Sequence, residues 1–159
     1  MKLLSLDQSF SATAWCLFED TVLIDFGVIK SDKTKDKHIR IHEIVQELKP
    51  LIQDSDLVVL EGLSFGSIST SARDLAGLYY GILVECYVQD IDYEELAPTT
   101  IKKFATGSGK AKKPDMWTAL PEKIQEKFIR KYKTIDSGKY DLADAYHIGQ
   151  LALTNLKHL

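Results

Sequence analysis

The chain has 159 residues, of which 45% are hydrophobic and 27% charged, a composition typical of a globular protein with a substantial core. We therefore expect a single domain over residues 1–159. With 20 Lys and Arg against 23 Asp and Glu, the net charge of −3 argues against a protein that coats nucleic acid without selectivity, because phosphate binding normally leaves a basic surplus.

Membrane insertion and disulfide bonding are also disfavoured. The longest apolar run, residues 75–88, is interrupted by Glu85 and is too short to span a bilayer, so we expect no membrane association and a cytoplasmic location. The two cysteines, Cys16 and Cys86, lie among apolar neighbours and outside any Cys-x-x-Cys pattern. We interpret both as reduced packing residues.

Three short apolar runs, separated by breaks that contain Ser, Thr or Asp, open the sequence and predict antiparallel strands in a meander. From Asp36 the apolar period becomes that of an amphipathic helix, which we expect to end near Asp54 and which contains Pro50. The predicted strands are Lys2–Leu6, Ala12–Phe18 and Val22–Ile29.

The middle of the chain predicts a buried strand followed by a helix. Residues 57–60 form an apolar run without polar alternation, as in a parallel strand that is covered on both faces. Residues 67–71 offer serine N-caps for the helix that follows. Gly77 and Gly81 lie one turn apart in that helix, and the notch they leave fits either close packing on the sheet or a dimer contact.

The C-terminal half predicts one more strand and then helices. A loop is expected over residues 106–114, followed by a single helix over residues 116–132 despite Pro121. The complete order of elements predicts an α/β fold with a five-stranded mixed sheet flanked by helices. The other elements are a strand at Tyr93–Leu96, one or two helical turns at Thr99–Ala105 and a final helix at Tyr140–Leu156.

Four acidic residues are candidates for a metal site. Asp7 and Glu61 follow the first and fourth predicted strands, so both are expected at the carboxyl edge of the sheet if these strands are parallel neighbours. Asp141 and Asp144 share one face of the last helix. Four carboxylates without basic partners would repel each other, which favours bound Mg²⁺ or Mn²⁺. The alternative is a set of solvated acids, since a pair at this spacing often arises by chance.

A lysine-rich segment lies between residues 102 and 113 and contains no acid. Its flanking glycines predict a loop that adapts to closely spaced phosphates, and the alternative is a solvated connection. The five lysines are Lys102, Lys103, Lys110, Lys112 and Lys113.

Three acidic motifs, LSLDQS at residues 4–9, VVLEGL at residues 58–63 and YDLADAY at residues 140–146, resemble those of the RuvC family of Holliday junction resolvases. The resemblance extends to Ala97-Pro98 and to the glycine- and lysine-containing segment 107–113, so that it covers essentially the whole chain. The compact loops resemble a bacteriophage version, for which the location would be the host cytoplasm.

The resemblance implies a ribonuclease H-like fold, a homodimer and a structure-selective endonuclease. Its substrates would be four-way DNA junctions and other branched DNA such as forks, cut with two Mg²⁺ ions per active site or with Mn²⁺ in their place. The residues that take the catalytic and metal-binding roles by motif position are Asp7, Glu61, Asp141 and Asp144.

DNA-binding roles are implied for the lysines between residues 102 and 113, with Lys103 and Lys113 near the scissile phosphate. Phe65 lies close to the family's aromatic residue that stacks on an unpaired base. Where the family usually has a glycine soon after the first Asp, this chain has Gln8 and Ser9, so we expect its first turn to be built differently.

Several alternatives remain open. His147, three residues after Asp144, fits either contact with a phosphate or metal-bound water, or ordinary packing. A YqgF-like nuclease would keep the metal cluster and act on RNA, whereas a noncatalytic nucleic-acid-binding module would need no metal. The sugar kinase and actin-like ATPase class shares the opening strand order, but the chain is too short for the two lobes it requires.

Overall fold

The computed structural model describes residues 1–64, 69–134 and 137–159. Five strands form one sheet, and the described part of the chain also contains six helices. The strands are β1 (Lys2–Asp7), β2 (Thr13–Glu19), β3 (Val22–Ile29), β4 (Leu57–Glu61) and β5 (Asp92–Leu96). The helices are α1 (Lys37–Gln53), α2 (Thr70–Gln89), α3 (Pro98–Thr106), α4 (Lys113–Thr118), α5 (Glu122–Lys131) and α6 (Lys139–Lys157).

The sheet is mixed, with the strand order β3-β2-β1-β4-β5. β1, β2 and β3 pair as an antiparallel meander, whereas β4 and β5 extend the sheet parallel to β1. Leu6 of β1 is in register with Leu60 of β4, so these two strands reach the same edge together. The predicted five-stranded mixed sheet flanked by helices is confirmed.

Each face of the sheet has its own apolar core, because successive side chains of a strand point to opposite faces. Leu3 of β1 packs into a core with α3, α4, α5 and α6, whereas Leu4 and Leu6 pack into a second core with α1 and α2. Cys16 and Cys86 are buried, one in each core, which confirms that they are packing residues.

α6 lies unusually close to the sheet at Gly149. A Cβ added there would come within 2.3 Å of the ring of Phe18 and 2.9 Å of Ser5 Oγ. The Ser5 hydroxyl also donates a hydrogen bond to the carbonyl of Ala145 at 2.7 Å. Gly149 and the buried Ser5 hydroxyl therefore fix the distance of α6 from the sheet, and with it the position of Asp144 and Asp141, which precede Gly149 by about one and two turns.

Replacing Gly149 by alanine is expected to destabilise the protein by about 3 kcal/mol and to lower Tm by about 6–12 °C, because neither Phe18 nor the strand can move aside cheaply. Thermal unfolding followed by circular dichroism measures the effect. Gly77→Ala is the matched control, since among the described residues its added Cβ would closely approach just the flexible end of Ile41, at 3.2 Å. Equal Tm values for the two variants would contradict the close approach of α6.

One helix prediction was wrong: the expected single helix over residues 116–132 is two helices, α4 and α5. Pro121 has extended backbone angles of φ −55° and ψ 139° and precedes the first residue of α5. Proline lacks the amide hydrogen needed inside a helix but fits its beginning, which explains the break. α4 also begins at Lys113, inside the segment predicted as a loop.

The glycine notch of α2 is filled by α1. Added Cβ atoms at Gly77 and Gly81 would meet the side chain of Ile41 at 3.2 Å and 2.9 Å. These glycines therefore serve close packing between the two helices that cover this face of the sheet. Ser69 caps α2, because its hydroxyl accepts a hydrogen bond from the amide of Ala72 at 3.1 Å.

A search of the described residues finds no helix with both the length and the apolar character needed to cross a bilayer.

Candidate active site

The carboxyl edge of the sheet brings Asp7 and Glu61 onto adjacent parallel strands. Both residues end their strands, one position beyond the paired Leu6 and Leu60. Gln8 joins the two strand ends, because its side-chain amide donates a hydrogen bond to the backbone carbonyl of Glu61 at 2.6 Å. Gln8 is only 6% exposed, so this bond is protected from water and ties the backbones of the two acidic residues together.

α6 supplies the other two acids. Oxygens of Asp7, Asp141 and Asp144 all lie within 4.8 Å of one another, an arrangement able to hold a metal ion. Glu61 is not a member of this close group, but its charge reaches Asp7 and raises the pKa of that carboxyl. The four predicted residues are therefore brought to one edge of the sheet, with three in a tight cluster and Glu61 beside it.

Burial and mutual repulsion make the ionised form of this cluster costly. Burial, followed by the charges of Asp144 and Glu61, raises the pKa of Asp7 well above its ordinary value. Burial and the charge of Asp144 also raise the pKa of Glu61. The pKa of Asp144 is raised by burial, although Lys113 opposes the shift. Such a cluster gains by binding a cation.

The expectation that the acids have no basic partner was wrong. Lys113 Nζ donates hydrogen bonds to Asp141 at 2.8 Å and to Asp144 at 3.1 Å. Although burial lowers it, the charges of these two carboxylates raise the pKa of Lys113 above its ordinary value. The helical start of α4 at Lys113, which the loop prediction missed, aims this ammonium group at the acids and partly compensates their charge.

The first turn after Asp7 uses hydroxyl groups where the resemblance led us to look for glycine. The Ser9 hydroxyl donates to the carbonyl of Ala12 at 2.9 Å and accepts from the Ala12 amide at 3.1 Å. The Thr13 hydroxyl donates to the carbonyl of Ser9 at 2.6 Å and accepts from its amide at 3.2 Å. These reciprocal bonds satisfy the turn backbone through hydroxyl groups, without a glycine.

The five candidate lysines lie at different places around the site. Lys113 contacts the acids, and the charge of half-buried Lys102 on α3 is close enough to oppose the rise in the pKa values of Glu61 and Asp144. Lys103, Lys110 and Lys112 are exposed on α3 and on the turn before α4. Phe65, the predicted base-stacking residue, lies outside the described residues.

His147 is a packing residue. Its side chain is only 4% exposed, and its Nε2 lies 2.9 Å from the backbone carbonyl of Met116. Burial lowers its pKa, which favours the neutral ring. His147 therefore joins α6 to α4, and through α4 it helps to place Lys113.

Sequence reasoning missed the role of Gln8 in joining the two strand ends. The sequence contained one signal, a long amide side chain between the first acid and a turn. Its partner is a backbone carbonyl 53 positions away, which no local pattern reveals.

Comparisons with known proteins agree with the fold and place the chain in a family. The family model described as "Crossover junction endodeoxyribonuclease RuvC" matches residues 16–137, a range that includes Glu61 and the five lysines. A protein of that name from Prochlorococcus marinus (strain MIT 9301) is 29% identical over 128 residues, which are 76% of this chain and 80% of the relative.

Two solved structures are similar over nearly the full length. The RuvC structure from Thermus thermophilus has a TM-score of 0.74 at 15% identity, and the alignment covers 99% of this chain and 97% of the Thermus chain. A structure of T. thermophilus RuvC in complex with a Holliday junction substrate has a TM-score of 0.71 at 12% identity, with 99% and 96% covered. These likenesses confirm the ribonuclease H-like fold, while a bacteriophage source stays a prediction.

Asp7, Asp141 and Asp144 lie outside the range that the family model matches, yet the fold places them beside Glu61, which lies inside it. With more than half of its length matched and its acids gathered at the expected edge of the sheet, the chain belongs to the RuvC family of crossover junction endodeoxyribonucleases.

Proposed function

We propose that this protein cleaves four-way junctions and other branched DNA by metal-dependent hydrolysis of phosphodiester bonds. The observation that carries the proposal is the group of three carboxylates, Asp7, Asp141 and Asp144, whose oxygens lie within 4.8 Å of one another at the sheet edge. Glu61 stands beside them, and Lys113 and Lys102 add positive charge at the same edge. Family membership indicates the branched substrate.

The donor set fits a hard divalent cation. Carboxylate oxygens are the ligands that Mg²⁺ and Mn²⁺ prefer, and the raised pKa values of Asp7 and Asp144 reflect an excess of buried negative charge. Asp7, Asp141 and Asp144 would hold one ion, and Glu61 would help to hold a second. When bound, such ions activate a water molecule and stabilise the leaving oxygen of the phosphodiester.

The protein's own groups hold and orient the scissile phosphate. Lys113 has its ammonium group at the acidic cluster, and Lys102 is close enough for its charge to act on Glu61 and Asp144, so a phosphate at this edge would meet both positive charges. Gln8 keeps the two strand ends at a fixed separation by its bond to the Glu61 carbonyl. The exposed Lys103, Lys110 and Lys112 extend the DNA-binding surface beyond the cut site.

A labelled synthetic four-way junction incubated with the protein tests this function. We expect paired nicks in the presence of Mg²⁺ or Mn²⁺, and no nicks in EDTA or with Asp144→Asn. Linear duplex DNA and a junction of the same sequence made of RNA serve as substrate controls. Cutting that persists in EDTA would contradict metal dependence. Equal cutting of duplex DNA would contradict selectivity for branches, and preferential cutting of the RNA junction would favour the YqgF-like alternative.

We also propose that the active form is a homodimer that joins through α2, since two symmetric nicks require two active sites. Four large apolar side chains on the outer face of α2 are more than half exposed. They recur at the spacing of one helical face and form a continuous stripe, which we call the α2 stripe. Its residues are Tyr80, Val84, Tyr87 and Val88.

Introducing a charge into the α2 stripe is expected to separate the dimer. Light scattering after size exclusion should give twice the chain mass of 17.9 kDa for the natural protein and a single chain mass for the double variant Val84→Glu/Tyr87→Glu. Ile129→Glu on α5 is the control, because Ile129 is a similarly exposed apolar residue away from the stripe, at 43% exposure. A natural protein that is monomeric at micromolar concentration, with or without junction DNA, would contradict this assembly.

A further inference from the structure

A second cluster of positive charge lies outside the lysine segment at 102–113. Residues 30–40 contain four lysines and one arginine against two aspartates. Three of these cations, Lys33, Lys37 and Arg40, line a cavity of about 420 Å³ together with Phe10 and Ser11. We call this cavity the α1 pocket. Asp74 is the acidic residue in its lining, so the cations outnumber the acids there.

The α1 pocket has a rigid base. Arg40 is only 6% exposed, and its guanidinium group donates hydrogen bonds to Ser31 Oγ at 2.7 Å and to the carbonyl of Phe10 at 3.1 Å. Lys37 Nζ and the Arg40 guanidinium lie 4.5 Å and 5.1 Å from the centre of the Phe10 ring. The ring and these hydrogen bonds hold two positive charges close together at the pocket.

Acidic neighbours compensate this charge only in part. Lys37 lies 3.6 Å from Asp74, a weak pairing distance. The charge of Arg40 reaches Asp32, whose carboxylate accepts hydrogen bonds from the amide and hydroxyl of Thr34. No carboxylate lies within salt-bridge distance of Arg40 in the stretches 1–64, 69–134 and 137–159. A buried cation without a close carboxylate favours an anion at the pocket.

The pocket adjoins the acidic site. A neighbouring cavity of about 460 Å³ is lined by Gln8 and Glu61, and Ser71 and Leu75 line both cavities. Phe10 lies only three positions after Asp7 in the chain. A path therefore leads from Glu61 across the first turn of α2 to the three cations. This path lies with α1 and α2, whereas the lysine segment lies on α3 and α4, which pack on the other face of the sheet.

We infer that the α1 pocket binds a backbone phosphate of the DNA strand that continues past the acidic cluster, so that basic groups grip the substrate on both sides of the cut. This inference rests on the proposed cleavage of branched DNA. It assigns a phosphate-binding role to Lys33 and Lys37, and it makes Arg40 the positioning residue that shapes the pocket and holds the Phe10 ring.

The salt dependence of junction binding tests the inference. Binding is measured without divalent cations, so that no cleavage accompanies it. The double variant Lys33→Ala/Lys37→Ala should reduce the slope of log K against log salt concentration by about 1–2, since each lost phosphate contact removes about 0.9. The control Lys49→Ala/Lys157→Ala removes the same charge at the far ends of α1 and α6 and should leave the slope unchanged. Equal slopes for both double variants would overturn the inference.

A chemical change in the DNA locates the contact. Single phosphates near the cut are replaced one at a time by neutral methylphosphonates. At one position the replacement should weaken junction binding by the natural protein. The same replacement should have little further effect on junction binding by Lys33→Ala/Lys37→Ala. Additive losses at every position would overturn the inference. Failure of the proposed function can be told apart from failure of the inference. In the first case the natural protein would not cut the junction. In the second it would cut the junction, and the two double variants would show equal slopes of log K against log salt concentration.

Discussion

Replacing Asp7 by asparagine is expected to abolish metal-dependent cleavage while making the metal-free protein more stable. The neutral amide removes a buried charge that faces the carboxylates of Asp144 and Glu61, and burial and these charges already raise the pKa of Asp7. We expect a gain on the order of 1 kcal/mol, which raises Tm by about 2–4 °C. Cleavage should fall by about 10³-fold or more.

The pH dependence of stability follows from the same shift. Because the pKa of Asp7 is higher in the folded state, that state holds the proton more tightly than the unfolded chain does. The metal-free natural protein therefore loses stability as pH rises from the ordinary carboxyl pKa of about 4 through the raised value. Asp7→Asn should show a smaller loss over this range.

Thermal unfolding in EDTA and in Mg²⁺ between pH 4 and pH 8 measures these effects. Mg²⁺ should raise the Tm of the natural protein and leave that of Asp7→Asn nearly unchanged. Asp92→Asn is the control, since Asp92 is an exposed acid at the start of β5. A metal-free Asp7→Asn protein that is less stable than the natural one would contradict the view that the cluster is strained by its own charge.

Replacing Lys113 by methionine is expected to tighten divalent-cation binding and to slow cleavage. The ammonium group bonds to Asp141 and Asp144, so a cation at these oxygens has to displace it. The Lys113 side chain is 55% exposed, which limits the pairing energy to roughly 1 kcal/mol, and we expect about 3- to 5-fold tighter binding. Cleavage should fall by about 10²-fold, because in the natural protein the displaced ammonium group meets the phosphate, and methionine carries no such group.

Calorimetric titration with Mn²⁺ and single-turnover cleavage separate these two effects. Lys113→Arg keeps the charge and should retain part of the cleavage. Lys112→Met removes the neighbouring exposed lysine and should leave metal affinity unchanged. Weaker Mn²⁺ binding in Lys113→Met would show that the lysine supports the metal site rather than competing with the ion.

The sheet was predictable because its signals are local. Apolar runs that end in acids at Asp7 and Glu61 marked β1 and β4, and the unalternating run at residues 57–60 indicated a strand buried on both faces. The break at Pro121 was missed because the apolar periodicity continues across it. The helix does not continue, since the backbone of Pro121 is extended. The first residue of α4, Lys113, was predicted as part of a loop because lysines and glycines precede it.

The acidic residues of the site were predictable from strand order and helical spacing, but their partners were not. The Gln8 bond to the Glu61 carbonyl and the Lys113 bonds to Asp141 and Asp144 span 53, 28 and 31 positions. Such contacts depend on which strands pair and on how the helices pack on the sheet, which residue patterns alone do not determine. The α1 pocket was also missed, because its cations alternate with acids along the chain and do not form a basic run.

Metal-dependent cleavage requires that Asp7, Asp141 and Asp144 together hold a divalent cation. An anomalous difference map from crystals soaked in Mn²⁺ tests it most directly. We expect a peak about 2 Å from an oxygen of each of these three residues, and we expect this peak to be lost in crystals of Asp144→Asn. Crystals of a cleavage-competent protein that show Mn²⁺ bound elsewhere, with these carboxylates still paired only to Lys113, would contradict it.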